Sequence, residues 1–368
     1  MIAVNEPLLS GNEKKYVNEC IDTGWISSEG PFIKKFEKQM ADFVGRKYGI
    51  ACTSGTAAID IAVSALELHE GDEVILPSFT IISCAQSLTK LGIKPVLVDC
   101  EYDTFNMKVE DIESKINSNT KAIMMVHMYG LTVDVDQILD LAKKYNLKVI
   151  EDAAHAIGQT YKGVQCGSFG DISIFSFYPN KHITTGEGGM VLCNDNKLNE
   201  RSKSLRNLFF SDQRFIHNEI GFNYRMTNLQ AALGVAQLEN INQIIKKKRW
   251  IGETYNNLLK DLDILNLPIK NTKYCENIYW VYAITIKDNY SKTAEQIMSE
   301  LKELKIGTRP FYYPMHKQPV FNRAGLFLND KLPNSEKLYK TGFYIPSGLA
   351  LTENQAIEVS NALYTVLS

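Results

Sequence analysis

The segment "SIFSFYPNKHITTGEGGMV", residues 173–191, poses the fold question for this chain. An apolar run breaks at Tyr178-Pro179-Asn180, a single lysine follows, and three glycines then fall within four positions before apolar residues resume. Lys181 comes directly after a strand-like stretch, which sets its amine at a strand end and not on a solvated helix face. An ordinary surface lysine beside a glycine turn reads the same locally, so the flanking chain has to decide.

Working outward, short β-rich runs recur between helical patterns. They are "YGIACTS" (48–54), "DEVILP" (72–77), "KPVLVD" (94–99) and "KAIMMVH" (121–127), followed by "LKVIED" (147–152), "DISIFSF" (171–177) and "GMVLC" (189–193). Most are continuously apolar and not alternating, as strands covered on both faces are. Helical patterns such as 57–68 and 133–145 separate them. This alternation predicts an α/β fold with a mostly parallel seven-stranded sheet.

A long helical pattern starts at Thr227 or Asn228, either of which can cap it, and carries Leu229, Ala232, Leu233, Ala236, Ile241, Ile244 and Ile245 at core-facing spacing. The domain change is expected along it, giving a large domain over 1–245 and a small C-terminal α+β domain over 246–368. The small domain reads as strand "IYWVYAITIK", helix 293–304, strand "GTRPFYYP" and closing helix 353–366. Roughly the first 15 residues are expected to pack on this small domain.

Bulk properties narrow the function. With 368 residues, 45% hydrophobic and 22% charged, and a net charge of −2, the chain has no electrostatic footprint for nucleic acid or a membrane surface. Its one basic cluster, Lys246-Lys247-Lys248-Arg249, reads as a solvated helix end. No apolar run reaches the roughly 18 residues that span a bilayer, and the first residues lack a signal-peptide pattern. Seven cysteines without a C-x-x-C pair and six scattered histidines give no metal site, and fit a reduced, cytoplasmic protein.

Three strand ends carry chemistry. In "CTSGTAAIDIAVSAL" a strand ends, Ser54-Gly55-Thr56 turns and a helix begins, so exposed N–H groups there attract an anion, although a plain helix cap reads alike. In "VIEDAAHAIG" a strand ends in Glu151-Asp152, with His155 one helical turn onward if a helix starts there. A buried carboxylate at a strand mouth needs a cationic partner. A helix cap for Asp152 and a packed histidine for His155 are the plain alternatives. The third is the opening stretch, with Ser176 in the strand and Lys181 just beyond; its glycines fit neither the dinucleotide nor the P-loop pattern. Together the three supply an anion cradle, an acid and an isolated amine on one sheet edge, the set that pyridoxal 5′-phosphate requires.

At these residues the sequence resembles the sugar-nucleotide aminotransferases of the DegT/StrS type, which share the fold-type I architecture of the aspartate aminotransferase superfamily. The likeness runs from "GWISSEGPFIKKFEKQMADFVG" through "SGTAAI", "VHMYG", "EDAAHAIG", "FSFYPNKHITTGEGG" and "GFNYRMTNLQAALGVAQLE" to "TRPFYYPMH" and "IPSGLALTENQ". It implies Lys181 as the Schiff-base lysine, Asp152 at the pyridinium nitrogen and His155 near the phenolic oxygen of pyridoxal phosphate. It also implies Gly55, Thr56 and Ser176 on the phosphate, joined by Asn223 of a neighbouring subunit, hence a homodimer with shared sites, alone or within a tetramer. Two departures stand out. Ile81 occupies the place where the family usually stacks an aromatic on the cofactor. Pro179 and His182 resemble a branch that dehydrates C3 of the sugar, but that branch carries histidine where Lys181 stands, so the lysine favours amino transfer.

Within the family, "NKHITTGEGG" and "TRPFYYPMHKQPVF" are most similar to enzymes that move an amino group from L-glutamate to C4 of GDP-4-keto-6-deoxy-D-mannose. Arg309, Tyr313 and His316 are the candidates for the nucleotide-sugar substrate. A surface ion pair for Arg309 and packing between domains for the other two are the alternatives. A dTDP- or UDP-linked sugar, a 3-dehydratase and a cofactor-binding regulator are the competing functions.

Overall fold

The computed structural model describes all residues of the chain except Asp212, Arg214 and Asn289. Five strands come first: β1 (Tyr48–Cys52), β2 (Glu73–Pro77), β3 (Lys94–Val98), β4 (Thr120–Val126) and β5 (Lys148–Asp152). A two-strand hairpin, β6 (Thr160–Tyr161) with β7 (Val164–Gln165), separates them from β8 (Ile172–Ser176) and β9 (Gly189–Cys193). All except the hairpin form one sheet in the order β1-β9-β8-β5-β4-β2-β3. Pairings among β3, β2, β4, β5 and β8 are parallel, and β9 runs antiparallel to both its neighbours. The continuous apolar runs are explained by burial, since β2 and β9 are buried at every position.

Helices cover this sheet: α1 (Glu13–Asp22), α2 (Pro31–Val44), α3 (Gly55–Ala65), α4 (Ser83–Lys90), α5 (Val135–Tyr145), α6 (Asn196–Arg206) and α7 (Asn228–Glu239). A β-carbon on Gly234 of α7 would lie 2.5 Å from the Phe36 ring of α2, so the two helices approach more closely than a side chain permits. The long helical pattern divides in two. Thr227 and Gln230 form a capping box at the start of α7, Asn240 ends it, and α8 (Ile241–Leu259) begins immediately.

A second sheet follows, with order β10-β11-β13-β12, from β10 (Leu265–Asn266), β11 (Tyr282–Ile286), β12 (Arg309–Pro310) and β13 (Gly342–Ile345). Helices α9 (Ala294–Glu303), α10 (Pro319–Arg323), α11 (Pro333–Thr341) and α12 (Glu353–Leu367) accompany it. The first residues join this layer: Ile2 bridges to Ile306, and the Ser347 N–H donates to the Val4 carbonyl at 3.1 Å. The basic cluster differs from the solvated helix end expected, because it lies mid-helix in α8 with Lys248 buried. Its ammonium group donates to the carbonyls of Trp280 and Ser347 at 2.8 and 2.6 Å, tying α8 to the second sheet.

Aromatic rings fill the seam between the two sheets. Phe79, Phe105 and Tyr129 meet Trp280, Phe311, Tyr312 and Tyr344, with Tyr129 5.2 Å from Phe311 and 5.7 Å from Trp280. The carboxyl ends of β4, β5 and β8 open beside this seam, at the edge where open α/β sheets bind ligands. Among the described residues no helix is long and apolar enough to cross a membrane.

Candidate active site

After β1, Ser54 caps α3, its hydroxyl accepting the Ala57 N–H at 3.1 Å. The N–H groups of Gly55 and Thr56 have no acceptor within the helix and face outward from its start. A β-carbon on Gly55 would stand 2.7 Å from that of Ser176, so glycine lets the helix start meet the end of β8. The Thr56 hydroxyl lies 2.7 Å from that of Ser83. Gly55, Thr56, Ser83 and Ser176 thereby make one cradle of amides and hydroxyls.

No helix follows β5. Asp152 instead accepts the Ala154 N–H at 3.0 Å through Oδ1, closing its own turn, and its Oδ2 accepts the Cys84 thiol at 3.4 Å. Burial pushes the Asp152 carboxyl up, opposed by the Ala154 amide and Lys181. The Lys181 loop folds back on itself: Thr184 donates to the Phe177 carbonyl at 2.9 Å, and Gly186 takes a φ of +78° that side chains disfavour. Burial lowers the Lys181 amine to about 7, against the attraction of Asp152 and Cys84. His155 is held well below its ordinary range by burial and then by the neighbouring Lys181, so its imidazole is neutral. Its Nε2 lies 3.4 Å from the Tyr312 hydroxyl, while Nδ1 has no partner.

These groups share a cavity of about 530 Å³. Gly55, Thr56, Asp152, His155, Ser176 and Lys181 all line it, as does Ile81. Arg309, Tyr313 and His316 do not. Arg309 is exposed on β12, opposite cavity-lining Tyr344. Tyr313 packs edge-on against Tyr339, with centroids 4.8 Å apart. His316 is buried between Ser78 at 2.9 Å and Glu336 at 3.0 Å. Asn223 is exposed, with its backbone bridged to Asn207, and lies off this chain's cavity. His182 turns away too, its Nε2 3.2 Å from the Ile278 carbonyl.

The cavity also holds residues that sequence reading passed over. Trp280 stacks on His155, and Tyr312, Tyr344, Tyr178 and Asn180 also line the cavity. Tyr312 sits one residue from the tyrosine singled out. Behind Asp152, Glu151 accepts from His127 Nε2 at 3.0 Å and from the Gly167 and Phe169 amides at 2.6 and 2.8 Å. The Cys166 thiol is within reach of both, but these hydrogen bonds already occupy the imidazole and the carboxylate, so the cluster reads as a structural clamp and not a metal centre.

The donor set fits pyridoxal phosphate. Buried polar atoms without partners, Nδ1 of His155 and Oδ1 of Asn180, belong to residues of the cavity wall. An amide cradle for a dianion, a carboxylate for a ring nitrogen and a partly unprotonated amine for an aldehyde stand around one space.

The chain has relatives along its whole length. The chain is 42% identical to the GDP-perosamine synthase of Caulobacter vibrioides, over all of this chain and 98% of that one. It is likewise 42% identical to the GDP-perosamine synthase of Escherichia coli O157:H7, over 98% of this chain and 97% of that one. Among solved structures it is similar to Helicobacter pylori PseC, an aminotransferase involved in the biosynthesis of pseudoaminic acid. The TM-score there is 0.94 at 26% identity, covering 100% and 99% of the two chains. Residues 7–364 match the model of the DegT/DnrJ/EryC1/StrS aminotransferase family, and the chain belongs to that family.

Proposed function

We propose that the protein, with pyridoxal 5′-phosphate bound, moves an amino group from L-glutamate to C4 of GDP-4-keto-6-deoxy-D-mannose, giving GDP-perosamine. The observation that carries this reading is 42% identity to GDP-perosamine synthases along the whole chain, joined to a half-buried Lys181 whose amine stands in the cavity just beyond β8. Bound cofactor would supply an electron-poor ring that takes up negative charge from the donor's Cα. The protein's own groups do the rest.

Gly55, Thr56 and Ser176 hold the phosphate, with Asn223 reaching it from a second copy of the chain, so the working unit is a dimer. Asp152 keeps a proton on the ring nitrogen. Lys181, lowered to about 7, is unprotonated in a large fraction at neutral pH, so it can attack an aldehyde and then carry a proton. Neutral His155 can donate Nδ1–H to the phenolic oxygen while Nε2 accepts from Tyr312, adding no positive charge. Aromatic Tyr312 and Tyr344 are our candidates for the sugar, and exposed Arg309 beside Tyr344 for the diphosphate. Such an enzyme works in the cytoplasm, where its nucleotide-linked substrate is made.

The test offers purified protein, with L-glutamate and cofactor, matched 4-keto-6-deoxy sugars on GDP, dTDP and UDP. A GDP product richer by one nitrogen is expected. Preference for dTDP or UDP would overturn the sugar assignment and leave amino transfer standing. A 3-deoxy sugar would make the protein a dehydratase, which His182 argues against by turning from the cavity.

A further inference from the structure

Trp280 touches two members of the proposed machinery and has no role in the scheme above. Its indole lies parallel to the His155 ring, with centroids 3.5 Å and planes 9° apart. The Lys181 ammonium nitrogen stands 4.0 Å from the indole centroid, over its face. The ring is fixed from several directions. Its N–H donates to the Asn180 carbonyl at 2.8 Å, its own carbonyl accepts from Lys248 at 2.8 Å, and Tyr129 stacks 5.7 Å away. Because Asn180 directly precedes Lys181, indole and amine are referred to the same short stretch of backbone.

We propose that the indole face of Trp280 is the seat of the Lys181 amine whenever cofactor does not engage it, making Trp280 a positioning residue for that lysine. An aromatic face attracts an ammonium group, and a fixed ring gives the freed nitrogen one place to wait in the cavity. A long flexible stem would otherwise let the amine sample many rotamers between half-reactions. The inference rests on the reading of Lys181 as the proton-carrying lysine. It also identifies an aromatic at the centre of the site in a chain whose Ile81 offers none.

Asp152 from β5 and Cys84 from α4 raise this amine, the amine in turn lowers His155 and, from behind the cavity wall, His182, and Tyr178, Glu187, Tyr312 and Tyr344 share its cavity. Burial depresses the amine, Asp152 and Cys84 oppose that, and the indole adds to their side. Removing the indole face should therefore leave the amine unprotonated to a lower pH.

The experiment follows residue 181 in cofactor-free protein by trace labelling with acetic anhydride across pH, read by mass spectrometry of its peptide. A Trp280→Leu variant should show the labelling midpoint about one pH unit below wild type, and Trp280→Phe a smaller fall in the same direction. A midpoint unmoved or raised in a folded Trp280→Leu protein would overturn the proposal. If that variant does not fold, Trp280→Phe decides alone: a lowered midpoint supports the seat and an unchanged one removes it. Amino transfer supplies an independent control. A lowered midpoint without transfer to any sugar counts against the functional reading alone. Transfer with an unmoved midpoint counts against the seat alone.

Discussion

Replacing Lys181 by methionine keeps most of an aliphatic stem and deletes a charge that burial disfavours. Burial takes the amine from an ordinary 10.5 to about 7. Each pH unit of that fall corresponds to about 1.4 kcal/mol, so the lysine costs the folded, cofactor-free protein at most about 5 kcal/mol near neutrality. The sign follows from proton counting. Between pH 7 and 10.5 the unfolded chain keeps a proton that the folded chain has released, so wild-type stability rises with pH through that window. Below pH 7 both states are protonated and the cost is constant. Cofactor-free Lys181→Met should therefore melt higher than wild type at pH 7, by on the order of 5 °C, because part of the limiting energy is lost to imperfect packing. The advantage should shrink steadily and vanish near pH 10.5. Differential scanning calorimetry from pH 6 to 10.5 measures it. Equal melting at pH 7, or a gap that widens toward alkaline pH, would refute the reasoning.

Other expectations follow from single contacts. Asp152→Asn should lower turnover at least about a hundredfold, read in steady-state assays, because a neutral amide cannot hold the ring proton; an unchanged kcat would remove Asp152 from the scheme. Gly55→Ala puts a β-carbon 2.7 Å from that of Ser176, and should cost about 1–3 kcal/mol and weaken cofactor retention on dialysis. Unaltered melting and retention would show that close approach is dispensable. Chelation by EDTA should leave activity and melting unchanged, because His127 and Glu151 are engaged with each other and with backbone amides. Loss of activity that zinc restores would make that clamp a metal site.

The strands of the large sheet were legible because both-face burial writes itself as unbroken apolar runs, and all seven expected strands are present in it. The break between α7 and α8 was not, because Asn240 interrupts the backbone without interrupting the apolar spacing from Leu229 to Ile245. Strands β10 and β12 are two residues each, too short for any period to register. At the site, Lys181 and Asp152 could be found because isolated charges at apolar strand ends need a reason. Trp280 could not, since inside "IYWVYAITIK" an aromatic in the wall of a cavity reads the same as one in the core. Tyr312 and Tyr313 differ only in the direction each side chain takes after β12, which the second sheet decides. His155 falls one helical turn beyond Asp152 only if a helix starts there; none does, since the carboxylate closes its own turn with Ala154, and the imidazole stacks on Trp280. Lys248 shows the converse. A run of four basic residues suggests solvent, yet one of them spends its charge on two buried carbonyls.

The central claim is that one ε-amino group captures the cofactor's aldehyde. Purified protein loaded with pyridoxal phosphate should be reduced with borohydride, digested and mapped by mass spectrometry. A pyridoxyl label on Lys181, absent from Lys181→Ala protein, is the expected result; a label on other lysines alone, or no label, would contradict the account.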